Sequence, residues 1–159
     1  MSRSPRLGPR GEGWVLIQLL LLPSVAVAGL VDPFAPEAPP PAVIWIAGLA
    51  LMGAGALLLG RGLLDLGRNL TPVPHPRDDA ELVVAGIYAR ARHPIYGGLI
   101  VTAFGWGLTM LSPLTLALAT ALAAFFWLKS EREEVWLRER YGGYEAYAAR
   151  TKRFVPHLV

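Results

Sequence analysis

The chain has 159 residues, of which 53% are hydrophobic and 17% charged, and it contains no cysteine. This length suffices for one domain, and the apolar fraction is too high for an ordinary soluble domain. Without cysteine, disulfides and thiolate metal sites are excluded, and three scattered histidines predict no other metal site. The formal net charge of +3 suits anionic lipid headgroups and gives no argument for a nucleic-acid partner.

Four apolar segments are each close to the length that a transmembrane helix needs, which is about 20 residues. They cover residues 14–31, 42–59, 95–111 and 114–128. The sequence therefore predicts an all-α integral membrane bundle of four transmembrane helices, in a single domain over residues 1–159.

The positive charges predict the orientation of this bundle. Three of the 15 lysine and arginine residues precede the first segment, five lie between the second and third, and seven follow the fourth. By the positive-inside rule, both termini and the middle connection are expected on the cytoplasmic side. An alternative remains for the N-terminus, because a basic stretch, the apolar run 15–22 and the small residues 26–28 are also typical of a cleavable signal peptide. Cleavage would leave three spans in the same orientation.

Short connections and small residues predict how the helices pack. The Ser112-Pro113 junction permits only a tight antiparallel hairpin, so the third and fourth helices are expected to be neighbours. Small residues four apart allow helices to approach closely in a membrane. Two such pairs, Ala103 with Gly107 and Ala50 with Ala54, are the predicted contact points.

A basic corner precedes the third helix, in the stretch ARARHPIYGG. Pro94 suits the first turn of a helix, and it forces His93 out of helical geometry. The unpaired N–H groups of that turn, next to Arg92 and His93, would attract a carboxylate or phosphate. The alternative is that the arginines only fix the topology and that Tyr96 is an interfacial aromatic residue.

The fourth helix is predicted to continue beyond the bilayer, through KSEREEVWLRERYGG to the glycine pair Gly142-Gly143. From 114 to 141 its length would be about 42 Å, so several turns should form a C-terminal cytoplasmic extension. The hairpin then brings Glu133 and Glu134 beside the basic corner and predicts a pocket with walls of both charges. A solvated helix end with pairs such as Glu134 and Arg138 is the alternative. The tail RTKRFVPHLV is expected on the membrane surface, with Phe154 toward the apolar layer.

Two sequence runs resemble the isoprenylcysteine carboxyl methyltransferase family of integral membrane enzymes, to which the phospholipid N-methyltransferases are related. They are GIYARARHPIYGG at 86–98 and EEVWLRERYGGYEAYAARTKRFVP at 133–156. The similarity covers about 65–156, and it implies a cofactor-binding part over those residues. It also implies transfer of a methyl group from S-adenosyl-L-methionine to a lipophilic acceptor at the cytoplasmic face.

The resemblance implies roles for particular residues. The positions matching the cofactor pocket are Gly86, Tyr88, His93, Pro94, Tyr96, Glu134, Leu137 and Tyr147. The catalytic candidates are Arg92, Arg153 and Glu134. The two arginines would hold carboxylates, either that of the acceptor or that of the cofactor's methionine end, and Glu134 would suit the cofactor's hydroxyls or its cationic end. An amine acceptor would need a base, for which His93 and Glu134 are the nearby candidates.

The acceptor stays open at this stage, because the better-known family members build part of its site from additional helices. The favoured function is methylation of a carboxylate on a lipophilic small molecule or lipidated substrate. The alternatives are methylation of a phospholipid amine and a non-catalytic membrane protein that retains the fold. The expected partners are this substrate and membrane lipids, and the expected location is the cytoplasmic membrane of a bacterium.

Overall fold

A computed structural model describes residues 7–71, 73, 75 and 80–158 of the chain. Its helices are α1 (Glu12–Val31), α2 (Ala42–Leu66), α3 (Pro94–Thr109), α4 (Pro113–Arg140) and α5 (Tyr144–Arg150). Two 3₁₀ turns, Gly67–Asn69 and Gly86–Ala89, lie in the connection between α2 and α3. The described residues also contain an isolated parallel bridge between Ala91 and Lys152. The predicted all-helical architecture is therefore confirmed for this part of the chain.

Within the part of the chain that the structure describes, three helical stretches are long and apolar enough to cross a membrane: Glu12–Val31, Ala42–Asn69 and Pro113–Arg140. The second continues well beyond the predicted end at 59, because leucines recur through residues 63–66. α3 has 16 residues and spans about 24 Å, less than the roughly 30 Å of a bilayer's hydrocarbon core. A fourth span at α3 thus stays a prediction. Exposed leucines on α1 and α2, such as Leu20 and Leu57, are suited to contact with lipid.

Glycines, rather than the predicted alanines, form the contact between α2 and α3. Gly48, Gly55 and Gly62 are the buried residues of α2, and they recur every seven residues. They face backbone atoms of α3 so closely that a Cβ on Gly55 would lie 2.6 Å from the amide nitrogen of Thr102. We call this contact the glycine seam. The prediction for Ala50 and Ala54 is wrong, because both residues lie on the exposed side of α2.

The predicted pair on α3 lies at its contact with the rest of the bundle. Ala103 is buried in the hydrophobic core, and a Cβ on Gly107 would meet the side chain of Leu116 in α4. This close approach confirms that α3 and α4 are neighbours, as the short Ser112-Pro113 junction predicts.

Polar contacts fix which helix ends lie together. Asp32 follows α1, and its Oδ2 accepts hydrogen bonds from Ser112 Oγ at 2.5 Å and the Leu114 amide at 2.9 Å. At the other end, Lys129 of α4 donates to Gln18 Oε1 of α1 at 2.7 Å. The start of α1, the α2–α3 connection and the end of α4 therefore lie at one end of the bundle. The predicted topology requires this arrangement, and which side of the membrane that end faces stays a prediction.

The C-terminal tail pairs with the segment before α3. The amides of Arg92 and His93 donate to the carbonyls of Lys152 and Arg153 at 2.9 and 2.7 Å, and the Lys152 amide donates to Arg90 O at 3.0 Å. Phe154 is 5% exposed and belongs to the hydrophobic core, so its expected placement in the lipid layer is wrong. The reason is that the non-helical backbone before Pro94 offers hydrogen-bonding groups that the tail satisfies.

Candidate active site

Glu134 is at the centre of a buried polar cluster, which we define as Arg92, His93, Glu133 and Glu134. Its side chain is 1% exposed, and Oε1 accepts a hydrogen bond from Arg92 Nε at 2.9 Å. The same oxygen lies 3.3 Å from His93 Nε2, and Oε2 lies 3.1 Å from an Arg138 nitrogen. The basic corner and the acidic helix end that the sequence predicts to meet are therefore in direct contact.

His93 lies between two carboxylates. Its Nδ1 is 3.3 Å from Glu133 Oε2, on the other side of the ring from Glu134. Burial by itself would lower the pKa of His93, but hydrogen bonds and charge attraction from Glu133 and Glu134 outweigh it, so its pKa is raised. A protonated ring donates from both nitrogens, which is what two carboxylate neighbours require. His93 is therefore best described as a cation that bridges Glu133 and Glu134.

The two arginines predicted to hold carboxylates are engaged within the protein. Arg92 also donates from one terminal nitrogen to Ala148 O at 3.0 Å and to Thr151 O at 2.5 Å, which fastens α5 and the tail to the cluster. Arg153 lies 3.7 Å from Glu134, and its guanidinium carbon is 4.2 Å from the centre of the Trp127 ring. Both side chains thus hold the tail in place.

A cavity of about 400 Å³ adjoins the polar cluster, a volume typical of sites for small ligands. Its walls come from α1, the end of α2, the connection to α3, and the facing parts of α3, α4 and α5. Six predicted site residues line it: Tyr88, Arg92, His93, Tyr96, Leu137 and Tyr147. The other four predicted residues, Gly86, Pro94, Glu134 and Arg153, are outside its lining.

Gly86 and Pro94 position the wall of the cavity. Gly86 has φ of +60°, a left-handed conformation that suits glycine, and a Cβ there would meet the carboxylate of Asp65. Asp65 also accepts a hydrogen bond from the amide of Ile87 at 2.7 Å. Pro94 is buried at the start of α3 and faces Gly62 of the glycine seam. Both residues fix where Tyr88 and His93 lie.

Polar residues that sequence reasoning did not select also line the cavity. They are Gln18, Asn69, Thr71, Glu81, Lys129, Glu133, Tyr141 and Tyr144. Lys129, Glu133 and Leu137 recur every four residues along α4, and Tyr141 follows at the same spacing just after its end, so they form one stripe. The four-residue spacing is visible in the sequence, but a second stripe that starts at Glu134 is equally regular. The spacing alone therefore does not tell which of the two stripes lines the cavity. Only the rotation of α4 against its neighbours places Glu133 at the cavity and Glu134 behind it.

The cavity is rich in tyrosine. Tyr96 donates a short hydrogen bond to Glu133, and its ring stacks between His93 and Phe126, with centroids 5.6 and 4.4 Å away. The Tyr147 hydroxyl donates to the carbonyl oxygen of Tyr88 at 2.8 Å. Burial raises the pKa of Tyr147 to about 12, so it is neutral at physiological pH.

Tyr144 differs from the other tyrosines of the cavity. Its side chain is among the largest fully buried ones, at 1% exposure, yet its hydroxyl has no hydrogen-bond partner among the described residues. A buried hydroxyl without a partner is destabilising by about 1–3 kcal/mol. Tyr144 is also one of the residues that line the cavity.

Comparison with known proteins identifies the family to which the chain belongs. The sequence model of the family described as phospholipid methyltransferase matches residues 43–143, which is more than half of the chain. Two rice proteins, from Oryza sativa subsp. indica and subsp. japonica, carry the name "Probable protein-S-isoprenylcysteine O-methyltransferase". Each is 34% identical over 86 residues, which cover 53% of this chain and 45% of the relative. The match thus spans about half of each protein. The matched region includes the whole polar cluster and most of the residues that line the cavity, and on this evidence the chain belongs to the phospholipid methyltransferase family.

Proposed function

We propose that the chain transfers the methyl group of S-adenosyl-L-methionine to a carboxylate on a lipophilic acceptor, at the cytoplasmic face of a membrane. The observation that carries this proposal is the cavity itself. It joins a charged, tyrosine-lined wall to apolar residues from helices that are suited to lipid. The charged wall suits a water-soluble donor, and the apolar residues suit an acceptor that lies in the membrane.

The residues of the cavity fit the donor. The Tyr144 hydroxyl and the Glu133 carboxylate are hydrogen-bonding groups suited to the donor's hydroxyl and amino groups. Tyrosine faces attract cations, and Tyr88 offers such a ring to a sulfonium. Glu134 lies outside the lining, so we assign the acidic contact with the donor to Glu133.

The chemistry favours a carboxylate acceptor. When bound, S-adenosyl-L-methionine supplies a methyl group whose S–C bond breaks, leaving the electron pair on sulfur, as an acceptor oxygen forms the new bond. A carboxylate is already ionised at neutral pH, so the protein need remove no proton and acts mainly by alignment. The name of the rice relatives describes an O-methyltransferase, which agrees with an oxygen acceptor.

Methylation of a phospholipid amine is the second candidate, and the family description favours it. An ammonium must lose a proton before it can attack, so this reaction needs a base. Of the two base candidates, His93 lines the cavity, but its raised pKa favours the protonated form, which accepts no proton, and Glu134 lies outside the lining. These two residues therefore support the carboxylate reaction better than the amine reaction.

Calorimetry with S-adenosyl-L-methionine on the detergent-purified protein tests the proposal. We expect saturable binding by the natural chain and about 10- to 100-fold weaker binding by Glu133→Gln, the range expected for loss of a hydrogen bond to a charged group. Glu139→Gln is the matched control, because Glu139 is exposed near the end of the same helix. Melting temperatures show whether each variant is folded.

Two results would argue against the proposal. Absence of binding by the natural chain would favour a non-catalytic membrane protein that retains the fold. Equal affinity of a folded Glu133→Gln variant would remove the assignment of the donor to this wall of the cavity.

A further inference from the structure

Lys129 and Gln18 form a polar pair between the end of the apolar run of α4 and the strongly apolar helix α1. Lys129 follows directly on the apolar run of α4 and is 1% exposed. Its ammonium donates to Gln18 Oε1 at 2.7 Å, and Gln18 lies within the strongly apolar helix Glu12–Val31. Burying an ammonium and an amide beside a bilayer is unfavourable, and ionisable residues kept in such places commonly mark a substrate site.

The pair lies at the end of the cavity nearest the apolar part of the bundle. Both residues belong to the lining, and the ammonium is 5.1 Å from the centre of the Tyr96 ring. Along α4, Lys129 is about 6 Å from Glu133 and about 18 Å from Tyr141. The apolar lining residues Leu63, Leu66 and Ile95 complete the cavity wall. An amphiphile that enters from the bilayer would therefore meet Lys129 with its polar end.

We propose that Lys129 and Gln18 bind the anionic group of the acceptor and thereby select a carboxylate amphiphile over an amine of the same shape. This inference rests on the proposed function. A carboxylate between the ammonium of Lys129 and the cationic donor is attracted by both, whereas a protonated amine is repelled by both. The amide of Gln18 holds the ammonium of Lys129 in place and offers N–H donors of its own.

The expected kinetic effect follows from the change in charge. The acceptor's carboxylate becomes a neutral ester, so its attraction to Lys129 is greater in the bound substrate than in the transition state. Loss of the ammonium should therefore raise the acceptor's dissociation constant and KM, while kcat stays unchanged or rises slightly. A residue with a purely structural role would not produce this split.

Two probes with the same lipid tail test the proposal on the full chain in detergent. They are 3-(farnesylthio)propionate, which is a carboxylate, and S-farnesylcysteamine, which is an amine. The variants are Lys129→Met, which keeps the length of the side chain without its charge, and Gln18→Leu. Lys152→Met is the matched control, because it removes the same charge from the exposed side chain of Lys152 in the tail. Binding of each probe and of S-adenosyl-L-methionine is measured separately.

We expect the natural chain and Lys152→Met to bind the carboxylate at least about 10-fold more tightly than the amine. Lys129→Met should lose this preference, with about 10- to 100-fold weaker carboxylate binding. Gln18→Leu should weaken carboxylate binding in the same direction. None of the variants should change the affinity for S-adenosyl-L-methionine more than about threefold.

Three results would overturn the proposal: no preference in the natural chain, an unchanged preference in folded Lys129→Met, or a loss of donor affinity in that variant with carboxylate binding intact. The last result would mean that the pair binds the donor's own carboxylate. If the natural chain binds no donor but keeps a carboxylate preference that depends on Lys129, the proposed methyl transfer fails while this binding site stands.

Discussion

The glycine seam and the polar cluster are both tightly packed, but they are held together by different forces. In the seam, the absence of side chains lets the backbones of α2 and α3 approach each other. In the polar cluster, four charged or ionisable side chains satisfy one another, and of these His93 and Glu134 are buried and Arg92 and Glu133 partly buried. A substitution that adds a side chain should destabilise the glycine seam, whereas one that removes a charge should destabilise the polar cluster. The two regions should therefore respond to substitution in opposite ways.

The largest expected effect is that of Glu134→Ala in the polar cluster. This change leaves Arg92 and His93 without the carboxylate that both contact, and removal of one partner from a buried ion pair typically lowers the free energy of unfolding by about 3–5 kcal/mol. Thermal or denaturant unfolding in detergent would measure the loss. Glu139→Ala, at an exposed position of the same helix, should change it by less than about 0.5 kcal/mol. A stable Glu134→Ala variant would mean that Glu134 does not hold the cluster together.

A smaller effect is expected for Gly55→Ala in the glycine seam. The new methyl group would lie 2.6 Å from the Thr102 amide nitrogen and 2.7 Å from the Gly98 carbonyl oxygen, so the two helices must move apart. Overpacking of this kind lowers stability by about 1–3 kcal/mol.

Gly53→Ala provides the matched control for the seam, because a Cβ at Gly53 would have no neighbour within 4 Å. Alanine favours a helix over glycine by about 0.8–1 kcal/mol, so this variant should be as stable as the natural chain or more stable. Unfolding of both variants under the same conditions gives the comparison. Equal stabilities would show that α2 and α3 are not in close contact.

The smallest expected effect has the opposite sign, at Tyr144 in the cavity. Tyr144→Phe removes a buried hydroxyl that lacks a partner among the described residues, so the empty protein should gain about 1 kcal/mol of stability. Tyr147→Phe removes a hydroxyl that donates to Tyr88 O at 2.8 Å and should lose a similar amount.

The affinity for the donor gives a second test of the difference between Tyr144 and Tyr147. If the Tyr144 hydroxyl contacts the donor, Tyr144→Phe should bind S-adenosyl-L-methionine about 10-fold more weakly despite its greater stability. Calorimetry and melting on the same samples give both quantities. A Tyr144→Phe variant that is less stable than the natural chain would mean that the hydroxyl is already satisfied in the empty protein.

Much of the fold was predictable because helices are local structures. The four apolar segments correspond to α1 through α4, and the protrusion of α4 follows from the continuous helical pattern up to Arg140. The Ser112-Pro113 junction correctly places α3 beside α4. The seam was not predictable from four-residue spacing, because several small residues of α2 satisfy such a pattern and only packing against α3 selects Gly48, Gly55 and Gly62.

The candidate site was predictable in position but not in detail. The sequence places the basic corner beside the EE pair, and the ion pairs between them confirm that contact. Its assignment of Arg92 and Arg153 to ligand carboxylates stays a prediction, and the structure adds that both arginines make contacts that hold the tail. In the sequence, Lys129 counts among the seven positive charges after the fourth apolar segment and is not a predicted site residue. Its pairing with Gln18 joins residues 111 positions apart, a separation over which no sequence period extends.

By itself, the sequence determined the apolar helices, the tight hairpin and the meeting of opposite charges at one end of the bundle. These features depend on helix length, periodicity and short connections, all of which are local. The tertiary structure alone decided that Glu133 faces the cavity while Glu134 is buried behind it, and that the tail pairs with the segment before α3. Neighbouring residues on a helix point about 100° apart, so the rotation of α4 against α1 and α3 assigns one glutamate to the cavity and the other to the protein interior.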